Sequence, residues 1–347
     1  MMQQLIQRYR RLRTMRLLAR KYQYSYAFVG MGQHALSNLY PVLYCLGVPL
    51  KYVCVTSEGK ARLIEGRFPG LTATTSMDVI LSDASIGGVF VSASPAAHYA
   101  LASQVLGSGK SLFVEKPPCR TLAELDELIS LQRRYGSPVA MAGLQKRYAP
   151  AVRVLRRCLA GQRLVNYDLH YLAGPYPEGD ALTELFIHPL DLVTYLFGKP
   201  EILACQQVAR NSCLLMLRHP RIAGTLELST ACSWTSAEES LKVCTSRGLY
   251  RLAQTEELTF EPFPATFLGI PVEKVRGSRR TIEHLCGRNS FIPTLPNNQI
   301  HSQGYFGELA AFVSSVERGR SNVPAGISTL RPTYELLADI ALKADFR

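Results

Sequence analysis

The sequence predicts an α/β Rossmann domain followed by an α+β domain with a large, mostly antiparallel open sheet. Three observations carry that prediction. From Tyr24 to about Met141, short apolar runs alternate with helical stretches, the pattern of a parallel sheet covered on both faces. The first run ends in Gly30-Met31-Gly32, a glycine turn between a strand and a helix. Residues 201–260 then read as consecutive strands and turns, which builds a second, antiparallel or mixed sheet. The chain divides accordingly into a basic arm (1–22), a dinucleotide-binding domain (23–147) and a substrate and oligomerisation domain (148–347).

In the first domain, Tyr26–Val29, Tyr52–Val55, Gly88–Ser92, Ser111–Val114 and Val139–Ala142 are the buried strands. Helices are expected over Ala35–Leu46, Gly59–Arg67, Ser76–Ser82, Ala97–Gly107 and Thr121–Tyr135, the last opened by the capping box of Thr121 and Glu124. In the second domain a basic helix, Ala151–Ala160, stops at Gly161, the strand Leu164–Leu172 follows, and Ala181–Phe197 is helical up to Gly198. Strands come next at Ile202–Ala209, Cys213–Arg218, Ile222–Thr230, Leu241–Thr245 and Leu249–Leu252. Pro262 to Pro296 is a long excursion rich in Pro, Gly and Arg, and helices near Tyr305–Val316 and Leu330–Ala344 close the chain.

Composition narrows the function classes. The net charge of +12 could point to nucleic acid, but residues 1–22 hold +7 of it with no acid, so no nucleic-acid partner is expected for the body of the protein. The arm places Leu5, Tyr9 and Leu12 on one face of a short basic amphipathic helix. It reads first as a solvated or subunit-packing extension, and otherwise as a peripheral contact with an anionic membrane or an acidic protein. The nine cysteines are scattered, with no Cys-x-x-Cys and no metal-ligand spacing. They imply no disulfide framework, no metal and a cytoplasmic location.

Four motifs carry chemistry. Gly30-Met31-Gly32-Gln33-His34-Ala35 lets the backbone approach a pyrophosphate at the N-terminus of the next helix. After the second strand comes Ser57, with Lys60 and Arg62 nearby and Glu58 as the counter-argument. A hydroxyl there tolerates a 2′-phosphate that a carboxylate would repel, which favours NADP(H) over NAD(H). Glu115-Lys116-Pro117 ends a buried strand, and a lysine partly desolvated beside a cationic nicotinamide has its pKa lowered toward proton exchange. Glu184, His188 and Asp191 are spaced four and three apart in an apolar stretch, so all three are expected on one helical face with the histidine flanked by carboxylates.

With these residues in view, the sequence resembles the Gfo/Idh/MocA family of NAD(P)-dependent oxidoreductases from about Tyr24 onward. Phe28–Gly32 is similar to its opening strand and glycine loop, and Gly88–His98 to a stretch that carries a Thr-Pro step and a histidine. Gly109–Pro117 matches its most recognisable motif, Gly143–Pro150 its domain-joining segment, and Glu184–Asp191 its Asp-x-x-x-His-x-x-Asp helix. The resemblance implies that Lys116 relays a proton with His188, that the Lys116–Pro117 peptide is cis, and that Ser92, Ala93, Ser94, His98 and Glu115 border the cofactor. It also implies that Glu184 stands in the family's usual Asp position and that Asp191 is mainly structural on the substrate side. Arg147 is taken to reach a substrate oxygen. Ala93-Ser94, Phe186 and Gly179-Asp180 depart from the family's usual residues and leave the substrate open.

The expected reaction is hydride transfer to or from a carbinol carbon of a sugar, nucleotide sugar or cyclitol by a homodimer or homotetramer. Lys116, His188 and Glu184 would be its catalytic residues. The alternatives are an imine or conjugated double-bond reductase on the same scaffold, and a non-catalytic cofactor-sensing regulator or binding subunit.

Overall fold

A computed structural model describes residues 2–19, 21–275, 277, 280–289, 291, 294–320 and 322–344. The arm is a helix, α1 (Met2–Leu18). The strands of the first domain are β1 (Ser25–Val29), β2 (Leu50–Cys54), β3 (Thr72–Thr74), β4 (Ile86–Val91), β5 (Ser111–Val114) and β6 (Ala140–Ala142). They form one parallel sheet in the order β3-β2-β1-β4-β5-β6. Their crossovers are a π-helical turn (Ala35–Leu39) running into α2 (Tyr40–Leu46), then α3 (Glu58–Arg67), α4 (Met77–Ser82), α5 (Pro95–Gly107) and α6 (Leu122–Arg134). The order reverses between β1 and β4, which opens a crevice at the carboxyl ends of those strands. The three-residue β3 has no counterpart in the sequence reading.

Central strands buried on both faces explain the unbroken apolar runs: Tyr26, Phe28, Phe90, Leu112 and Phe113 have no solvent exposure. The helix starts follow their chemistry. Ser57 and Ser76 cap α3 and α4, and Thr121 with Glu124 makes a reciprocal capping box on α6.

A short 3₁₀ turn (Gln145–Tyr148) leads into α7 (Pro150–Leu159) and β7 (Leu164–Leu172). A π-helical turn (Ala181–Leu185) precedes α8 (Ile187–Phe197). The strands β8 (Glu201–Ala209), β9 (Ser212–His219), β10 (Ile222–Ser229), β11 (Glu238–Thr245), β12 (Gly248–Ala253) and β13 (Glu257–Pro262) follow. The excursion holds a hairpin of β14 (Thr266–Phe267) and β15 (Ile270–Pro271), then β16 (Glu283–Cys286). Eight strands pair in the order β16-β13-β12-β11-β7-β10-β9-β8, antiparallel except for β7 against β10. Alternating burial along β9 gives this sheet one covered face and one open face that shows Leu214 and Met216.

The chain closes with α9 (Gln299–Ser302), α10 (Tyr305–Glu317) and α11 (Arg331–Ala341). Helix α10 returns to the first sheet. Phe312 packs edge-on against Phe90 and Phe113, and Glu317 accepts hydrogen bonds from the Tyr26 hydroxyl and the Gln23 amide.

Candidate active site

The glycine turn sits at the carboxyl end of β1. Gly30 has φ +84°, and a Cβ there would lie 2.4 Å from the Ser92 carbonyl oxygen, so only glycine lets β1 close against the end of β4. Gly32 is the opposite case: a Cβ would meet nothing within 4 Å. The space around Gly32, at the entry to the π-helical turn before α2, is open. The two glycines therefore differ: a side chain is excluded at Gly30 and has room at Gly32. Met31 is partly buried against the core, and Gln33 turns outward to donate to the Ser37 hydroxyl.

Around this turn the structure gathers several expected residues. Ser57 holds the start of α3 by accepting from the Lys60 amide at 3.4 Å, while Glu58 accepts from the Thr75 hydroxyl at 2.9 Å. The carboxylate that argued against a 2′-phosphate is thus tied to the next loop, and Lys60 is exposed. His34 faces Glu115 at 3.5 Å, sits 3.1 Å from Asn38, and lies edge-on to Tyr305. Glu115 is buried at the end of β5 against Gly143, where a Cβ would come within 2.8 Å of its carboxylate. Ser92 is buried, and Ser94 begins α5 without a side-chain cap.

His98, expected at the cofactor, is instead a buried tie. Its Nδ1 lies 2.8 Å from the Pro117 carbonyl oxygen and its Nε2 lies 3.0 Å from that of Ala93. Both ring nitrogens are occupied, so its part is to hold the loop after β4 against the loop after β5. The Lys116–Pro117 peptide there is cis.

Lys116 leaves the first domain for the second. Its Nζ donates to the Glu184 carbonyl oxygen at 2.6 Å. Burial, its largest influence, lowers the Lys116 pKa, against the opposing pull of Glu115 and Glu184. His188, in the first turn of α8, is almost fully buried, and its Nδ1 has no hydrogen-bond partner among the described residues. Burial first, then the positive charges of Lys116, Lys146 and His34, drives its pKa well below the ordinary value. His188 is therefore neutral at physiological pH.

Three expectations are corrected here. The helix carrying the Glu184-His188-Asp191 pattern is interrupted: a π-helical turn ends at Leu185, and α8 begins afresh at Ile187. Glu184 is engaged elsewhere. Its carboxylate accepts from the Tyr176 hydroxyl at 3.0 Å and packs on Gly179, where a Cβ would come within 2.2 Å. Asp191 does not flank His188 either, because it accepts from Arg147 Nε at 2.8 Å and Nη2 at 2.5 Å and from the Thr333 hydroxyl. Arg147 Nη1 donates to the Pro324 carbonyl and the Thr329 hydroxyl. Arg147 and Asp191 are both buried, and the pair joins α8 to the segment before α7 as a structural contact.

The sequence reading missed Lys146. It is buried, pairs with Glu239 of β11 and lies over the Tyr171 ring at 5.3 Å. Tyr176, Glu239 and Tyr305 come from distant segments and carried no local signal.

Comparison with known proteins agrees with the fold. Residues 24–142 match the model of an oxidoreductase family with an NAD-binding Rossmann fold. The YceM protein of Salmonella typhimurium is 27% identical over 285 residues, covering 78% of this chain and 89% of that protein. Inositol 2-dehydrogenase of Salmonella paratyphi B is 26% identical over 186 residues, covering 51% of this chain and 55% of the enzyme. A dehydrogenase from Chromobacterium violaceum superposes with a TM-score of 0.77 at 21% identity, covering 93% of this chain and 96% of that one. The UDP-N-acetylglucosamine 3-dehydrogenase GnnA of Acidithiobacillus ferrooxidans gives 0.72 at 18% identity, covering 93% and 98%.

Proposed function

We propose that this chain is an NAD(P)-dependent oxidoreductase of the Gfo/Idh/MocA family, whose model matches residues 24–142, and that it interconverts a hydroxyl and a carbonyl on a sugar, nucleotide sugar or cyclitol, with Lys116 and His188 handling the hydroxyl proton. One observation carries this reading. Lys116 reaches out of the cofactor domain to the Glu184 carbonyl, four residues ahead of the buried His188, with its own pKa lowered by burial and its charge among those that lower the pKa of His188. Each group's positive charge opposes the other's, so the pair holds one proton more readily than two. Such a pair can take a proton from a substrate hydroxyl and return it to a carbonyl oxygen. A bound nicotinamide supplies the hydride acceptor or donor.

Glu184 acts on Lys116 rather than on His188, through the carbonyl that receives the ammonium and through the Tyr176 bond that fixes its own side chain. The open space over Gly32 and the His34–Glu115 contact support a dinucleotide there. The diversion of Glu58 to Thr75 supports NADP(H) over NAD(H). The named activities of inositol 2-dehydrogenase and UDP-N-acetylglucosamine 3-dehydrogenase support a polyol or sugar substrate. The exposed Leu214 and Met216 of the open sheet face support a homo-oligomer. The nine free thiols support a reducing cytoplasm.

The test begins with fluorescence titration of cofactor-free protein by NADPH and NADH, followed by a screen of cyclitols and nucleotide sugars. Micromolar binding with NADPH preferred, then turnover of a polyol, is the expected result. Ser57→Asp should move the preference toward NADH by at least tenfold, about 1.4 kcal/mol. Folded protein that binds neither cofactor overturns the proposal, and turnover of imines or enones alone replaces its substrate class.

A further inference from the structure

We propose that the protein docks on anionic membrane surfaces through helix α1 and the β14–β15 hairpin. The helix is exposed at every residue from Met2 to Leu12. At roughly 100° per residue, Met2, Leu5, Ile6, Tyr9 and Leu12 share one arc. Arg8 and Arg10 border that arc and Arg11 stands opposite. A helix of 17 residues whose Met2–Leu12 stretch is exposed to water is marginal, and helices of this kind draw their stability from a covered apolar face.

The hairpin repeats the combination from an unrelated part of the chain. Its two-residue turn, Leu268-Gly269, has φ +50° and +79°, the conformation of a tight hairpin turn. That turn presents Phe267 and Leu268 at 72% and 87% exposure, with Ile270 also exposed. Residues 261–282 carry Lys274, Arg276, Arg279 and Arg280 against Glu261 and Glu273; Arg280 is paired with Glu261, and Arg276 and Arg279 lie outside the described residues. Leucine is an unusual choice for a left-handed turn residue, and water offers its side chain nothing.

Charge complementarity selects the partner. A phosphate backbone would satisfy the arginines and leave the apolar side chains wet. The boundary of an anionic bilayer takes both, with the apolar arc at the acyl level and the cations among the headgroups.

The experiment sediments the full chain with vesicles of phosphatidylcholine, with and without phosphatidylserine. The chain should pellet with the anionic vesicles and stay in solution with the neutral ones. Arg8→Ala with Arg11→Ala should weaken binding about tenfold or more, since each cation near the surface contributes severalfold. Leu5→Ser with Leu12→Ser, and separately Phe267→Ser with Leu268→Ser, should weaken it too. NADPH binding by each variant reports that the body remains folded. Failure to pellet with anionic vesicles, equal binding to neutral ones, or binding indifferent to these substitutions overturns the proposal. So does self-association abolished by the same substitutions without any vesicle binding, which would make the face a contact between copies of this chain.

Discussion

The ammonium of Lys116 lies 2.6 Å from the backbone carbonyl of Glu184, so a residue at the end of a first-domain strand is aimed by the main chain of the second. The carbonyl belongs to the π-helical turn that precedes α8, a place where helix geometry frees an acceptor. Lys116→Met removes that donor and the titrating group together. Turnover should fall by a thousandfold or more, about 4 kcal/mol, while cofactor affinity stays within a few-fold. In wild-type protein the rate of alcohol oxidation should rise with pH, because the base acts when unprotonated, and the rise should begin below the ordinary lysine range because burial lowers the Lys116 pKa. Steady-state kinetics across pH check both; an active Lys116→Met enzyme removes Lys116 from the reaction.

Glu308 makes a separate pH prediction. It is fully buried on α10, and among the described residues no side chain donates a hydrogen bond to either carboxylate oxygen. Burial, with Glu115 next, raises its pKa well above the ordinary value. The folded protein therefore keeps this proton while the unfolded chain releases it. Stability from this group is complete below the unfolded pKa near 4.5 and is lost as pH climbs toward the raised folded value, by about 1.4 kcal/mol per pH unit. Glu308→Gln should flatten that slope, so urea melts of the two proteins should diverge with rising pH in favour of the variant.

The two glycines of the turn should separate folding from binding. Gly30→Ala meets both a positive φ and the Ser92 carbonyl and should cost at least about 2 kcal/mol of stability. Gly32→Ala has room for its methyl group and should leave the melting temperature nearly unchanged while weakening NADPH tenfold or more. Thermal melts paired with cofactor titration distinguish them. Equal loss of stability in both would refute the division of labour.

The Arg147–Asp191 joint should behave as structure. Arg147→Met strands a buried carboxylate and should cost about 3–5 kcal/mol. Adding Asp191→Leu should recover part of that loss, because the uncompensated charge goes with it. A variant of normal stability with a raised KM would return Arg147 to the substrate side.

What the sequence made legible follows the range of each interaction. The Rossmann strands and the glycine turn were readable because apolar runs and turn residues are local signals. Glu115-Lys116-Pro117 stood out because a charged pair at the end of a buried strand conflicts with its surroundings. The pattern at 184–191 misled because spacing arguments assume an unbroken helix, and the wide turn before Phe186 resets the register. Lys146 was hidden beside Arg147 as one more cation in a joining segment. Its partner Glu239 lies 93 residues away, and single-sequence periodicity carries nothing over that range.

Phe312 sits among the central aromatics of the first sheet, against Phe90 and Phe113, although more than one hundred and sixty residues of second domain separate it from β6. Synthesis runs from the N-terminus, and a domain consolidates only when its core is complete. During translation, then, the nucleotide-binding sheet must wait with that face bare until α10 has left the ribosome. A stop codon placed just after the eight-stranded sheet would release a chain whose first domain is unfinished, even though all six of its strands had been made.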